Sequence, residues 1–176
     1  SSDWFAELKQ SGKRDLCKFI YQKVNSTRIP KLKKGAGFIS KTPRQVSKSF
    51  DNWYKTSQVD GFANHISRKH MASDIHRYLF TSSSVLYGSK VQSPSHEGFK
   101  NIKDFPLCLL PEHKSITEAL ESGKLESVKF ANRFKVQARD VPASTILSHI
   151  AKDGHYFIHY DPTQSRSLTV REAARL

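Results

Sequence analysis

Six histidines fall into two clusters, the first chemistry-bearing feature of this 176-residue sequence. His65, His70 and His76 lie in NHISRKHMASDIH, and His149, His155 and His159 lie in HIAKDGHYFIH. Imidazole can ligate a metal or move a proton, but a zinc site needs further ligands, and no cysteine lies near either cluster. The even spacing of His155 and His159 puts both on one face of a strand. A nuclease built on Asn64, His65 and Arg68 would need carboxylates to hold its ion. Asp74 is the only acid between Gly61 and Ser95, so Asn64, His65, Arg68 and His70 read as residues that cap and decorate a helix. Cys17 lies on an apolar helical stripe and Cys108 inside FPLCLL, and both read as small core residues rather than activated thiolates. Gly35-Ala36-Gly37 is too short for a phosphate-cradling loop. No catalytic residue and no metal site is assigned.

Charge points elsewhere. Residues 1–60 hold thirteen basic and five acidic side chains, whereas residues 101–132 hold four and five, within a net charge of +13. No acid occurs between Leu16 and Phe50, where Lys31, Lys33, Lys34 and Arg44 lie among other cations. A one-sign field of this kind favours a polyanion, and nucleic acid is the usual one; a merely solubilising surface is the alternative. No apolar run is long enough to span a membrane, Ser1 to Lys18 lacks the core of a signal peptide, and the two cysteines are isolated. These features lead us to expect a cytoplasmic protein without a membrane partner.

The elements that must position these side chains follow from periodicity. Trp4, Phe5 and Leu8, then Leu16, Phe19 and Ile20, predict helices, as do Val46, Phe50, Trp53 and Tyr54 after the cap Thr42-Pro43. Met71, Ile75, Tyr78 and Leu79 repeat that spacing and predict a helix near 64–80. Thr81 to Pro106 reads as a long loop, and Ser115 to Glu118 as a capping box whose helix Gly123 closes. From Arg133 the period becomes two: Phe134, Val136 and Ala138 alternate with Arg133, Lys135, Gln137 and Arg139, a strand with one cationic face. Thr145–Ile150 and His155–Tyr160 predict two more strands joined by a hairpin turn. The expected class is α+β: a helical basic subdomain over 1–80, and a small antiparallel β-sheet toward the C-terminus within 81–176 that ends in a helix start, the two expected to form one compact unit.

The final stretch, SRSLTVREAARL, sets Thr169 three residues before Glu172, a capping box that opens a helix. Arg166, Leu168, Thr169, Arg171, Glu172, Ala173 and Arg175 resemble motif nine of the DNA (cytosine-5) methyltransferases. The stretch from Pro142 to Ile146 resembles the end of their target-recognition domain. Asn64-His65, Arg68, His70, Asp74-Ile75, Arg77-Tyr78 and the Phe105–Pro111 run fit a subgroup with a large recognition region, so the resemblance covers Asn64 to Leu176. It implies an enzyme that flips a cytosine from the duplex, attacks it with a cysteine and transfers a methyl group from S-adenosylmethionine. The Pro-Cys-Gln, Glu-Asn-Val and glycine-rich cofactor motifs of that chemistry do not occur in these residues, and the motif stops short of its Gln-x-Phe-Pro-Asp continuation.

The resemblance therefore implies a recognition segment of a restriction–modification enzyme, with double-stranded DNA and the catalytic domain of the same parent chain as partners. S-adenosylmethionine belongs to the parent, and no cofactor is expected in this segment. Thr145 matches the family's contact to the phosphate beside the flipped base, and the loops around Asn132–Lys135 and Ser148–His155 match its base-reading loops. The expected DNA-contacting set is Arg133, Lys135, Gln137, Arg139, Thr145, Ser148, His149, Lys152 and His155, with Lys31, Lys33, Lys34 and Arg44 from the basic tract. Arg166, Thr169, Arg171 and Glu172 are expected to organise structure. A stand-alone basic nucleic-acid-binding module is the alternative, and a histidine-dependent nuclease ranks below it.

Overall fold

Trp4 and Leu8, one helical turn apart, form the buried edge of α1 (Asp3–Gln10) in the computed structural model. That model describes residues 3–26, 35–39, 61–91, 102–125, 128, 133–139, 141–152 and 154–176. Cys17 and Ile20 do the same for α2 (Arg14–Ser26), and both helices follow the expected apolar stripes. The remaining regular elements are β1 (Gly35–Ile39), β2 (Phe62–Ile66), α3 (Ala72–Val91), α4 (Lys114–Glu121), β3 (Val136–Gln137), β4 (Ile158–His159) and α5 (Val170–Ala173). The class is α+β, dominated by helix.

The chain forms two compact units that interleave in sequence. The first comprises residues 1–28 and 70–167, the second residues 29–69 and 168–176. In the second unit β1 and β2 pair antiparallel, with Gly35 opposite Ile66 and Ile39 opposite Phe62. Asn64 within β2 adopts φ 59°, a left-handed conformation that asparagine tolerates better than most residues. α5 packs against β2, where His65 Nδ1 lies 3.2 Å from Thr169 Oγ1.

The core of the first unit is a relay of rings. Trp4 meets Phe80 edge-on with centroids 6.1 Å apart, Phe80 meets Phe105 at 5.7 Å, and Phe105 meets Phe134 edge-on at 5.1 Å. Leu8, Cys17, Ile20, Ile102, Leu109, Ile116 and Ile158 fill the space around them. Each ring pair contributes about 0.5–1.5 kcal/mol beyond its burial. Residues far apart in sequence are thus joined by close-packed side chains.

Several elements depart from the periodicity reading. The helix expected near 64–80 begins at Ala72, and Asn64 and His65 lie on β2 instead of capping it. α3 then runs on through the Thr81–Ser84 stretch expected as loop. Its hydroxyls bond back to the preceding turn, Thr81 Oγ1 donating to the Arg77 carbonyl (2.9 Å) and Ser84 Oγ to that of Phe80 (2.8 Å). The buried face of α3 is paved with Asp74, Arg77, Tyr78, Thr81 and Ser82, while Met71 and Ile75 are exposed, so an apolar stripe does not mark it. Cys108, expected in the core, is exposed on the 3-10 turn Leu107–Leu109, which turns Leu109 inward instead.

α4 is capped by His113, whose ring accepts from the Ser115 amide, two residues ahead of the expected capping box. It ends at Gly123 (φ 69°), with Lys124 N donating to the Ala119 carbonyl at 2.8 Å. The C-terminal pair, β3 with β4, is parallel and two residues long, and the antiparallel ladder lies at β1–β2. Residues 148–151 form a 3-10 turn where a strand was expected. The helix expected from Val46 to Tyr54 lies outside the described residues.

One buried ion pair fixes α3 against the Phe105–Pro111 segment. Arg77 donates to Asp74 Oδ1 at 2.9 Å and to the carbonyls of Leu109 (2.8 Å) and Leu110 (3.2 Å). Removing one partner of such a pair strands a buried charge. Arg77→Met should lower the unfolding free energy by about 3–5 kcal/mol in urea titrations. Asp74→Asn with Arg77→Met should cost less than the sum of the two single changes.

Candidate nucleic-acid face

Phe134 is buried and Lys135 exposed, so the alternation expected at Arg133–Arg139 holds at its start. Backbone bonds fix this register: Lys135 N donates to the His155 carbonyl and Ile158 N to the Lys135 carbonyl, both at 2.9 Å. With the strand anchored on one side, the Lys135 side chain is left in solvent. Arg139 is exposed as well. Arg133 is half-buried, its guanidinium carbon 5.4 Å from the centre of the Phe134 ring, a cation–π contact that holds it on this surface.

Gln137 joins the strand to the following loop. Its Nε2 donates to the Tyr156 carbonyl (2.9 Å) and Ser144 Oγ (3.1 Å), and its Oε1 accepts from the Ser144 amide at 3.2 Å. These bonds occupy both ends of the amide, so Gln137 works as a positioning residue. Ser144 was not singled out from the sequence; a glutamine among arginines and lysines on an otherwise cationic strand face is the signal that could have led to it. Thr145 follows directly and is exposed, as are Ser148 and Lys152.

His155 lies apart from this surface. It is 9% exposed, its Nδ1 lies 2.8 Å from the Tyr78 hydroxyl, and its ring is 4.6 Å from that of Phe134. His70 meets Tyr78 edge-on at 5.0 Å, and its Nε2 accepts from the Ser167 amide at 3.2 Å. These imidazoles extend the aromatic core. His159 is buried too, and its Nδ1 accepts from the Asp161 amide. Among the described residues no group of three or more His, Cys, Asp or Glu side chains is placed to hold a metal ion. Lys31, Lys33, Lys34 and Arg44, and the side chain of His149, lie outside what the structure describes.

The residues expected to organise structure are tied into local networks. Arg166 donates to Gln164 Oε1 through Nε (2.9 Å) and Nη2 (2.6 Å), and to the Ser167 carbonyl (3.0 Å) through Nη1. Thr169 and Glu172 form a complete capping box: Glu172 Oε2 accepts from the Thr169 amide at 2.8 Å, and Thr169 Oγ1 from the Glu172 amide at 3.2 Å. Burial, and then the charge of Arg175 four residues on, lower the Arg171 guanidinium from its ordinary value, although it stays protonated at physiological pH.

Asp161 shapes the turn before this segment. Burial works to raise its carboxyl, but the Thr163 amide (3.0 Å) and hydroxyl (2.8 Å), with Gln164, outweigh it and hold the group below its ordinary value.

No helix among the described residues is long and apolar enough to cross a membrane. No family model and no solved structure matches the chain. Over 116 residues, 66% of its length, the chain is 34% identical to the type II methyltransferase M.Bpa9945I of Bacillus paralicheniformis. It spans about a fifth (21%) of that protein's length. The chain is thus related to part of a methyltransferase.

The depressed Asp161 carboxyl implies a pH dependence of definite sign. Its contribution to stability is complete above the ordinary carboxylate pKa near 3.9 and is lost as pH falls through the lower folded-state value. Thermal unfolding midpoints of the unsubstituted 176-residue chain and Asp161→Asn should differ most near neutrality and converge as acid protonates the folded-state carboxyl.

Proposed function

We propose that the chain is the DNA-recognition part of a cytosine-5 DNA methyltransferase of a restriction–modification system, and that its cationic C-terminal face grips duplex DNA. The observation that carries this reading is the bonding of Gln137 to Ser144, which holds the loop bearing exposed Thr145 onto the strand bearing Lys135 and Arg139. A rigid surface with exposed cations, hydroxyls and amides suits phosphate oxygens, which take half or more of protein–DNA hydrogen bonds. The likeness to a type II methyltransferase supports the enzyme class. The folded capping box at Thr169 and Glu172 supports the motif-nine resemblance.

In this reading Lys135, Arg139, Thr145, Ser148 and Lys152 grip the backbone, and Arg133, steadied on Phe134, contributes to base readout. Gln137 and His155 position the face from behind. No step of methyl transfer falls to these residues, because neither a cofactor motif nor a Pro-Cys-Gln nucleophile occurs among them. S-adenosylmethionine and the catalytic cysteine belong to the parent chain's catalytic domain, the second partner in this reading.

Duplex binding should weaken steeply with salt, the logarithmic slope falling by about 0.9 for each phosphate contact removed. Lys135→Gln and Thr145→Ala should lower affinity for all sequences, whereas Arg133→Ala should relax base preference in a site-selection assay. A salt-independent affinity would exclude this surface as a DNA face. Bisulfite sequencing of DNA from cells expressing the full-length parent should show 5-methylcytosine at one defined site; adenine methylation instead would remove the cytosine assignment.

A further inference from the structure

α2 carries a second face that the C-terminal surface does not account for. At 100° per residue, Leu16, Cys17, Phe19 and Ile20 form its inward side, with Cys17 and Ile20 buried and the Phe19 ring 5.6 Å from that of Tyr87. Arg14, Lys18, Tyr21, Gln22 and Asn25 occupy the opposite arc of about 100°. All five are exposed, the Tyr21 ring conspicuously at 61%. Two cations, two amides and an aromatic ring thus line one exposed stripe about 16 Å long.

Within α2 itself, Asp15 is the one acid, and it borders the stripe. Asp15 lies 3.7 Å from Lys18 Nζ with both side chains 78% exposed, a pairing worth little in water and readily exchanged for a phosphate. Asp15 also sits in the first turn of α2, where a carboxylate favours the helix N-terminus. From Leu16 through Phe50 the sequence contains no other acid.

We infer that α2 is a second DNA-contacting element, which lays Arg14, Lys18, Tyr21, Gln22 and Asn25 against duplex DNA. This rests on the DNA-recognition reading and extends it to a part of the chain outside the motifs found from Asn64 to Leu176. The chemistry is that of a groove-lying helix. Arg14 and Lys18 neutralise phosphates, Gln22 and Asn25 offer the donor–acceptor pair that matches adenine's major-groove edge, and Tyr21 offers an apolar surface with a polar tip. The major groove is wide enough to admit an α-helix.

The test compares the whole 176-residue chain with Arg14→Gln/Lys18→Gln, Lys135→Gln and Lys18→Arg on mixed-sequence duplexes across a salt series. Glutamine forms helix well and the sites are exposed, so far-UV circular dichroism should be unchanged. The double variant should bind about tenfold more weakly and lose about two units of salt slope, while Lys18→Arg keeps its affinity. Full duplex binding by the double variant, with Lys135→Gln weakened, overturns the role of α2 and leaves the C-terminal face standing. An unsubstituted 176-residue chain that does not bind duplex DNA overturns both. Binding of single-stranded RNA or anionic vesicles that depends on Arg14 and Lys18, when duplex binding does not, also overturns the assignment.

Discussion

The guanidinium of Arg77 is the tie on which the first unit depends. Buried on α3, it holds the Asp74 carboxylate and the carbonyls of Leu109 and Leu110 together. Those bonds set the Phe105–Pro111 segment on the helix, and Phe105 then supports Phe134, which in turn supports the ring of His155. The register of Lys135 rests on a bond to the His155 backbone. A charge pair deep in the protein therefore determines where an exposed lysine meets solvent. Buried pairs of this kind add little net stability, but they select one arrangement of the groups around them.

The parts legible in the sequence were those in which one short stretch carries all the relevant information. The stripes of α1 and α2, the capping box at Thr169 and the left-handed Gly123 are local patterns, and each folds as its spacing implies. Only the first half of α3 was legible, and its continuation past Thr81 was hidden because that stretch is rich in hydroxyls, which find carbonyls within their own helix. β1 and β2 were hidden because glycine and alanine carry little strand preference, and the partners are far apart in the chain.

At the candidate face, Lys135 and Arg139 of the cationic row are exposed, whereas His155, named from the family resemblance rather than from that row, is buried. Even spacing does place His155 and His159 alike, yet both are buried. The flanks of β4 are covered, β3 on one side and a bridge from Ile158 to Ser167 on the other, so its side chains serve the core. Gln137 looked like one more polar contact in an exposed row. Its role emerges only from the position of Ser144, which depends on how the following loop turns back.

The interleaving of the two units bears on how the protein comes into being. Trp4, Leu8, Cys17 and Ile20 precede by more than a hundred positions the Phe134 and Ile158 that complete their core. Two amphipathic helices are therefore made before the residues that cover their apolar sides. Contacts of such long sequence separation fold slowly, because chain entropy is lost before they form. The dense positive charge around α2 then has a use before any ligand arrives: it keeps the waiting helices apart from their copies on neighbouring chains.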